Sequence, residues 1–299
     1  EELNQNNDAI TAAGKQAGNL IILKEKSLFS VGYSFDGEVV YYPVSEFNST
    51  IGCDVPKSVQ LIDNNLVFAN TYGGVFMVVN MLGSAEENVK PISGNINGTQ
   101  INEGLLQEPN LEEATSIDYD RKYWLCVNGN VYMWDYDIST YYPYQSKYTT
   151  TNSKYARALA WFKLNNINAK YWLGNLIADD TGLWYSDGEN INHFILYFSD
   201  FGEGITAYWK SKSFDFGEPA YKKLIQYVVV SVRADSNSNM TITISNESKT
   251  AYYSKNIDIE SFSWALSDWT TFTWAVQRFS KPYRLKPRMK KKYYCQIWV

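Results

Sequence analysis

The chain has 299 residues, 45% of them apolar and 16% aromatic, with 24 tyrosines and a formal charge of −5. That length holds one large β domain or two smaller ones, each with its own core. The negative balance argues against a dedicated nucleic-acid binder while leaving room for a local basic patch, and no apolar run reaches the roughly 20 residues of a spanning helix.

No signal-peptide pattern opens the chain, and a start at Glu1 rather than Met leads us to expect a processed or incomplete N-terminus. Residues 1–17 are polar around an Ala-Gly segment and are expected to form an N-terminal arm. Leu20–Lys24 and Ser27–Val31, joined by Glu25-Lys26, read as a strand pair, and Phe35-Asp36-Gly37 turns into Glu38–Pro43. Ile51–Val79 is the clearest stretch. Ser58–Ile62 alternates and Asp63-Asn64-Asn65 turns, because Asn and Asp tolerate left-handed dihedrals. Leu66–Asn70 is a second strand, Thr71–Gly74 a second turn with two glycines free to take positive φ, and Val75–Val79 a third strand.

Residues 83–114 are polar, with an acidic stretch Glu108–Glu113, and are too long for a plain connector; a functional loop or a short helix is expected. The three-strand pattern returns at Ser116–Asp118, Tyr123–Val127 and Val131–Tyr136, with Asn128-Gly129-Asn130 as a turn. Beyond the aromatic link Tyr141–Tyr148, Ala156–Leu164 is expected to begin a fourth unit. Leu176–Ala178 and Leu183–Tyr185 continue it, and Asp187-Gly188 is its exit turn. Phe29, Phe76, Tyr132 and Trp184 then occupy equivalent places about 50 residues apart, a period typical of propeller blades.

Near residue 203 the character changes. Ile205–Phe214 alternates as a strand, Asp215–Pro219 turns, and Lys223–Arg233 is the strongest strand signal in the chain. Asp235–Asn239 is expected to turn a hairpin, with Met240–Ser245 pairing back. Tyr252–Ile259, Thr270–Trp274, Tyr283–Met289 and Tyr293–Val299 supply further strands, and this succession without helical periodicity predicts a β-sandwich. The expected fold class is all-β: an arm over 1–17, a β-propeller or partial propeller over 18–202, and a C-terminal β-sandwich over 203–299.

Candidate chemistry is sparse. His193 is the only histidine, so a Ser-His-Asp or Cys-His nucleophile would have to use it, and Gly32-Tyr33-Ser34-Phe35-Asp36 lacks the second glycine of a nucleophile elbow. One His and the dispersed Cys53, Cys126 and Cys295 offer no zinc ligand pair and read as a structural histidine and free thiols. The carboxylate pairs Asp118/Asp120, Asp135/Asp137, Asp179/Asp180 and Asp187/Glu189 have the residue types of a glycosidase, yet each falls at a turn or alternates along a strand. Ser34-Phe35-Asp36-Gly37 is a poor fragment of a sialidase box. Asp235–Asn239 resembles the start of a calcium loop but lacks its later Gly and Glu. Sequons at Asn48, Asn97, Asn239 and Asn246 are of the kind that chance supplies in an Asn- and Ser-rich chain.

The interaction candidates are better populated. Tyr141, Tyr142, Tyr144 and Tyr148, with Trp264 and Trp269 beside Trp274, suit protein contacts or sugar stacking, with packing as the default. The run Lys281, Arg284, Lys286, Arg288, Lys290, Lys291 and Lys292 contains no acid. It suits phosphates, an acidic neighbouring subunit, or simply the solvated face of an edge strand.

Three stretches carry a family resemblance: Leu20–Val31 (LIILKEKSLFSV), Ile51–Val79 with Ile51-Gly52-Cys53 and Pro56-Lys57-Ser58-Val59, and Tyr208–Val232 from Trp209-Lys210-Ser211-Lys212 through Phe214–Pro219 to Lys222-Lys223. The first two resemble blades, and the third the passage into a sandwich, of the tail hub (stabilisation or nozzle) proteins of short-tailed bacteriophages and related virion propeller proteins. The resemblance implies a structural virion protein without enzymatic activity or cofactor. It would form a ring, hexameric or dodecameric, below the portal and adaptor, through which DNA exits. Its partners would be its own copies, other tail, portal or adaptor proteins and, in passing, phage DNA, with no membrane. It would reside in the virion tail, and in the host cytoplasm during assembly. The motifs are structural and transfer no catalytic residue. The chain is short for the family, which reads either as a fragment or as a smaller ring or sheath component. The alternative from another class is a carbohydrate- or receptor-binding propeller, glycan-active or not.

Overall fold

The computed structural model describes residues 8–79, 88–98, 103–137, 159–174, 182–194, 199–200, 203–232, 238–259 and 281–299. The protein is all-β, with two compact units, Glu1–Ile195 and Leu196–Val299.

The N-terminal unit is a series of antiparallel meanders. Sheet one joins β1 (Ile10–Gln16), β2 (Asn19–Lys24) and β3 (Leu28–Val31). A small hairpin of β4 (Ser34–Phe35) and β5 (Val40–Tyr41) follows, and β6 (Val44–Asn48) closes the sheet. Sheet two is β7 (Val55–Ile62), β8 (Asn65–Asn70), β9 (Gly74–Val78) and β10 (Val89–Pro91). Sheet three is β11 (Thr115–Tyr119), β12 (Lys122–Val127), β13 (Asn130–Asp135) and β14 (Ala160–Asn165). Sheet four is β15 (Tyr171–Gly174), β16 (Leu183–Ser186) and β17 (Ile191–Phe194). The first strands run in succession: β1 contacts β7, β7 contacts β11, and β11 contacts β15. Among the described residues the four sheets do not close into a ring.

The tight turns form where positive φ is tolerated. Asp63 and Asn64 take φ of 46° and 61°, and Asn128-Gly129 takes 50° and 76°. Side-chain alternation then divides the core into three layers. Leu66, Phe68, Phe76 and Val78 of sheet two face Ile21, Leu23 and Leu28 of sheet one. Val67, Ala69, Val75 and Met77, on the opposite face, meet Tyr123, Leu125, Tyr132 and Trp134 of sheet three. Trp124, Cys126 and Val131 meet Leu183 and the partly buried Trp172, Tyr185 and Phe194 of sheet four. Strands covered on both sides become continuously apolar, which is why β8 and β12 read as unbroken runs.

Polar ties join successive sheets. The Gln16 amide donates to Val78 O (3.1 Å) and accepts from Leu66 N–H (2.9 Å). Gln60 donates to Ser116 O (3.0 Å), and the fully buried Tyr123 donates its hydroxyl to Ser58 O (2.8 Å). Thr115 donates to Ala169 O (2.6 Å) and accepts from Trp172 Nε1 (3.0 Å). Gly52 lies against the Lys24–Lys26 backbone, where any Cβ would overlap it.

Several expectations are corrected. Residues 10–16 are no arm: they form β1, paired along β2. Ala156–Leu164 does not open the fourth unit; its described part is β14, the outer strand of sheet three, paired residue for residue with β13 from Ala160 to Asn165. Sheet four begins at Tyr171, and Leu176–Ala178 lies outside the described residues. The likeness of Phe29, Phe76 and Tyr132 holds, since each sits on the third strand of its meander, but Trp184 lies on β16, the middle of three. The 83–114 stretch supplies β10 and two single 3-10 turns, Leu105–Gln107 and Leu111–Glu113, whose buried leucines enter the core between sheets two and three.

The C-terminal unit begins with a short hairpin, β18 (Ser199–Asp200) and β19 (Glu203–Gly204). Ile205–Phe214 is not a continuous strand; it makes isolated bridges at Lys210 and Phe214 to the C-terminal segment. Lys223–Arg233 is divided into β20 (Lys223–Ile225) and β21 (Val228–Val232). β22 (Ser238–Asn246) and β23 (Lys249–Ile259) follow, then β24 (Lys281–Leu285), β25 (Met289–Lys292) and β26 (Gln296–Trp298). β21 pairs with β24 and β20 with β25, whereas β22 pairs with β23 and β26. The expected β21–β22 hairpin is therefore absent: the chain passes from one group of strands to the other. Ile225, Leu285 and Met289 from the first group and Ile242, Ile244 and Ile257 from the second form one apolar cluster.

Candidate interaction surfaces

The potentially reactive groups serve the fold. His193 lies flat on Trp184, with ring centroids 3.9 Å apart and planes 3° apart. Asp118 accepts from the Tyr136 hydroxyl at 2.8 Å, and burial raises its carboxyl above the usual range. Asp120 binds Lys122 (2.8 Å), Asp137 binds Arg121 (2.9 Å), and buried Asp135 accepts from Asp137 N–H. Asp187 accepts from Glu189 and Asn190 N–H at its turn. Burial alone would raise the Glu108 carboxyl. Donation from Tyr132 (2.7 Å), Lys163 (3.1 Å) and Asn130 (2.9 Å), with the Lys163 charge, holds it below the usual range instead.

All three cysteines are buried free thiols, and burial pushes Cys53 and Cys126 up to about 11, too high for a ready nucleophile. Among the described residues no group of three His, Cys, Asp or Glu comes together around a metal position. Asn48 and Asn246 of the sequons are buried and hydrogen-bonded, to Asn88 and to Met289 Sδ. Asp179, Asp180 and Asp235 lie outside the described residues.

Two surfaces among the described residues combine exposed apolar side chains with a defined strand register. Cross-strand register in sheet four places Tyr171, Ser186 and Ile191 in one row and Leu173, Trp184 and His193 in the next, all on one face. The opposite face carries the Trp172–Tyr185–Phe194 layer against sheet three. On the outer face Ile191 is 78% exposed and Tyr171 65%, with Leu173 about half exposed. Sheets two and three bury both faces; sheet four buries one.

The second surface is the β20–β21/β24–β25 ladder. Arg284, Lys286, Arg288 and Lys290 are exposed, and Leu285, Pro287 and Met289 between them are buried. Beside this cationic row stands an apolar one of Leu224, Tyr227 and Val229, each at least half exposed. Arg284 lies over the Tyr227 ring, 4.2 Å from its centroid. Of the basic run, Lys292 reaches Glu247 at 3.8 Å, and Lys222 stands over the Tyr293 ring. Between this ladder and the C-terminal strand a groove of about 580 Å³ is lined by Phe214, Phe216, Leu224, Tyr227, Val228 and Ile297.

Charge is divided between the units. Residues 1–195 hold 12 Lys and Arg against 23 Asp and Glu, a formal −11; residues 196–299 hold 15 against 9, a formal +6.

Of the sequence candidates, Arg284, Lys286 and Arg288 fall together on this second surface. Tyr141, Tyr142, Tyr144, Tyr148, Trp264 and Trp269 lie outside the described residues. The sheet-four face was missed. Its signal was available, since Tyr171-Trp172-Leu173 is apolar on both sides of the strand, the two-sided pattern of β8 and β12.

No protein family matches the sequence, and no curated protein matches it. Among solved structures, the chain is similar to PorZ, an essential bacterial surface component of the type-IX secretion system of Porphyromonas gingivalis. The identity is 11% and the TM-score 0.33, over 84% of this chain. The chain spans about 28% of the length of that protein, and a likeness of this size carries no argument about fold or role.

Proposed function

We propose that this chain is a structural assembly protein of a short-tailed bacteriophage: a ring-forming hub or nozzle component that adjoins portal, adaptor or other tail proteins and surrounds the path of DNA exit. In this reading the four meanders are blades of a partial propeller and the C-terminal unit is a β-sandwich. The virion tail is the place of action, and the host cytoplasm the place of assembly.

The observation that carries the reading is the outer face of sheet four. A layered stack ends there on exposed Tyr171, Leu173 and Ile191, where every inner layer is covered on both sides. Large apolar side chains left open in a row mark a surface meant for a partner. The groups weighed above for chemistry fit the same reading: Asp118, Asp120, Asp135, Asp137, Asp187 and Glu108 are held in turns and strand pairs, the thiols are buried, and His193 lies on Trp184.

The test is location. Phage particles carrying an epitope-tagged copy of the chain should bind gold-labelled antibody at the tail, and deletion of the chain should yield heads without stable tails. Infectious, complete particles lacking the chain would overturn the reading. Glycan binding lost on Trp184→Ala, with unlabelled particles, would establish the carbohydrate-binding alternative.

A further inference from the structure

The sheet-four edge and the C-terminal ladder are complementary in chemistry. At the β16–β17 turn, Asp187 and Glu189 precede Ile191 by four and two residues, and both carboxylates belong to the strongly acidic unit. Lys170, beside Gly188, is the cation near this turn. Ile191 is the most exposed of the large aliphatic side chains described. The ladder offers the converse: Arg284, Lys286, Arg288 and Lys290 in a row, and a neighbouring groove open to apolar matter. Glu247 lies at the far end of this row, already close to Lys292.

Resting on the ring-assembly reading, we infer that the Asp187–Ile191 turn of one copy docks on the β20–β21/β24–β25 ladder of a second copy, with Ile191 entering the groove and Asp187 and Glu189 facing Arg284, Lys286 and Arg288. Such a contact joins two different surfaces, so each copy retains one of each for the next neighbour. Repetition of that step generates a ring when the rotation closes. An apolar anchor in a pocket, ringed by charge, is the arrangement in which a few residues carry most of the affinity. The opposite charges add steering and register, which weaken as salt is raised. An acidic partner is favoured over nucleic acid because Leu224, Tyr227, Val229 and the groove present mostly apolar area beside the cations.

The test uses the full chain and light scattering coupled to size exclusion over a range of concentrations. Arg284→Glu with Arg288→Glu, and separately Asp187→Lys with Glu189→Lys, should each weaken self-association tenfold or more. Ile191→Asp should do the same. All four charge reversals in one chain should restore assembly, and the two double variants, each weakened alone, should co-assemble in alternation when mixed, because each variant's turn then meets a ladder of opposite charge. Arg284, Arg288, Glu189 and Ile191 are exposed, so the far-UV spectrum and melting temperature of variants at these positions should stay close to wild type. Asp187 also accepts the Glu189 and Asn190 N–H groups, so Glu189→Lys alone, which leaves that turn intact, should weaken self-association in the same direction.

A ring unaffected by the reversals would overturn this contact and leave the ring reading standing. A wild type monomeric at every concentration, both free and in tail assemblies, would overturn both. Loss of binding to a DNA duplex in the arginine variant, with oligomer size unchanged, would overturn the acidic partner in favour of nucleic acid.

Discussion

The two units solve the burial problem differently. In the N-terminal unit apolar residues fall into three layers, each lying between consecutive sheets, so stability is distributed along the stack. In the C-terminal unit two groups of strands close on one cluster around Ile225, Ile242, Ile244, Ile257, Leu285 and Met289. Strand groups that share one cluster bury their apolar residues against each other, with buried and exposed residues alternating, as Arg284 to Lys290 do. A serial stack always ends on a face that nothing in the stack covers. The uncovered face is therefore a consequence of how the N-terminal unit is built, and in the proposed function it is where a partner sits.

The largest test of this contrast is removal of a layer. Trp134 is fully buried between sheets two and three and stacks on Trp161 with centroids 6.2 Å apart. Trp134→Ala should cost about 3–5 kcal/mol and lower the N-terminal transition in hydrogen exchange and denaturant unfolding, leaving the C-terminal one in place. Equal loss in both units would break the comparison. Ile244→Ala in the C-terminal cluster should cost about 2–5 kcal/mol. Its effect should spread over both strand groups of that unit, since they share one core. Protection lost only in β22 and its pairs would contradict a shared core.

A smaller effect is expected at Glu108, whose side chain is 9% exposed and accepts three hydrogen bonds. Its folded-state pKa lies below the unfolded value. Its contribution is therefore present above the ordinary glutamate range, near about 4.3, and is lost as pH falls through the lower folded value. Glu108→Gln should destabilise the N-terminal unit by about 1–3 kcal/mol at neutral pH and flatten its acid limb. An unchanged acid limb would show that the Tyr132–Glu108–Lys163 group is incidental. The smallest stability effect belongs to the uncovered face, where Leu173→Asp should shift folding by about 0.5 kcal/mol or less.

Much of this organisation was legible in the sequence because local chemistry decided it. Asp63-Asn64 and Asn128-Gly129 carry positive φ, and the strands on either side follow from alternation and β-branching. What could not be read was the assignment of strands to layers. Sequence alone places β14 at the start of a new unit, because an outer strand and a first strand both follow a long connection and alternate alike. The bonds that decide the matter, Asn130 to Asp135 against β14, are non-local. The β21–β22 connection posed the same problem: a turn-rich segment between two strand runs suits a hairpin and a crossing between layers equally well. On the surfaces, the cationic row of Arg284, Lys286 and Arg288 was visible as an acid-free run. The strand of Tyr171, Trp172 and Leu173 signals two apolar sides, but an apolar strand does not declare which of them is covered, so the open face with Ile191 emerges only from the packing.

The most direct measurement of the central claim is the mass of the full chain in solution before and after Leu173→Asp, by light scattering at matched concentration and low salt. The layered account predicts that wild type forms a defined oligomer and that the variant, equally stable to heat, is a monomer. An oligomer of unchanged mass in the variant would mean that the open face of sheet four is not where copies meet.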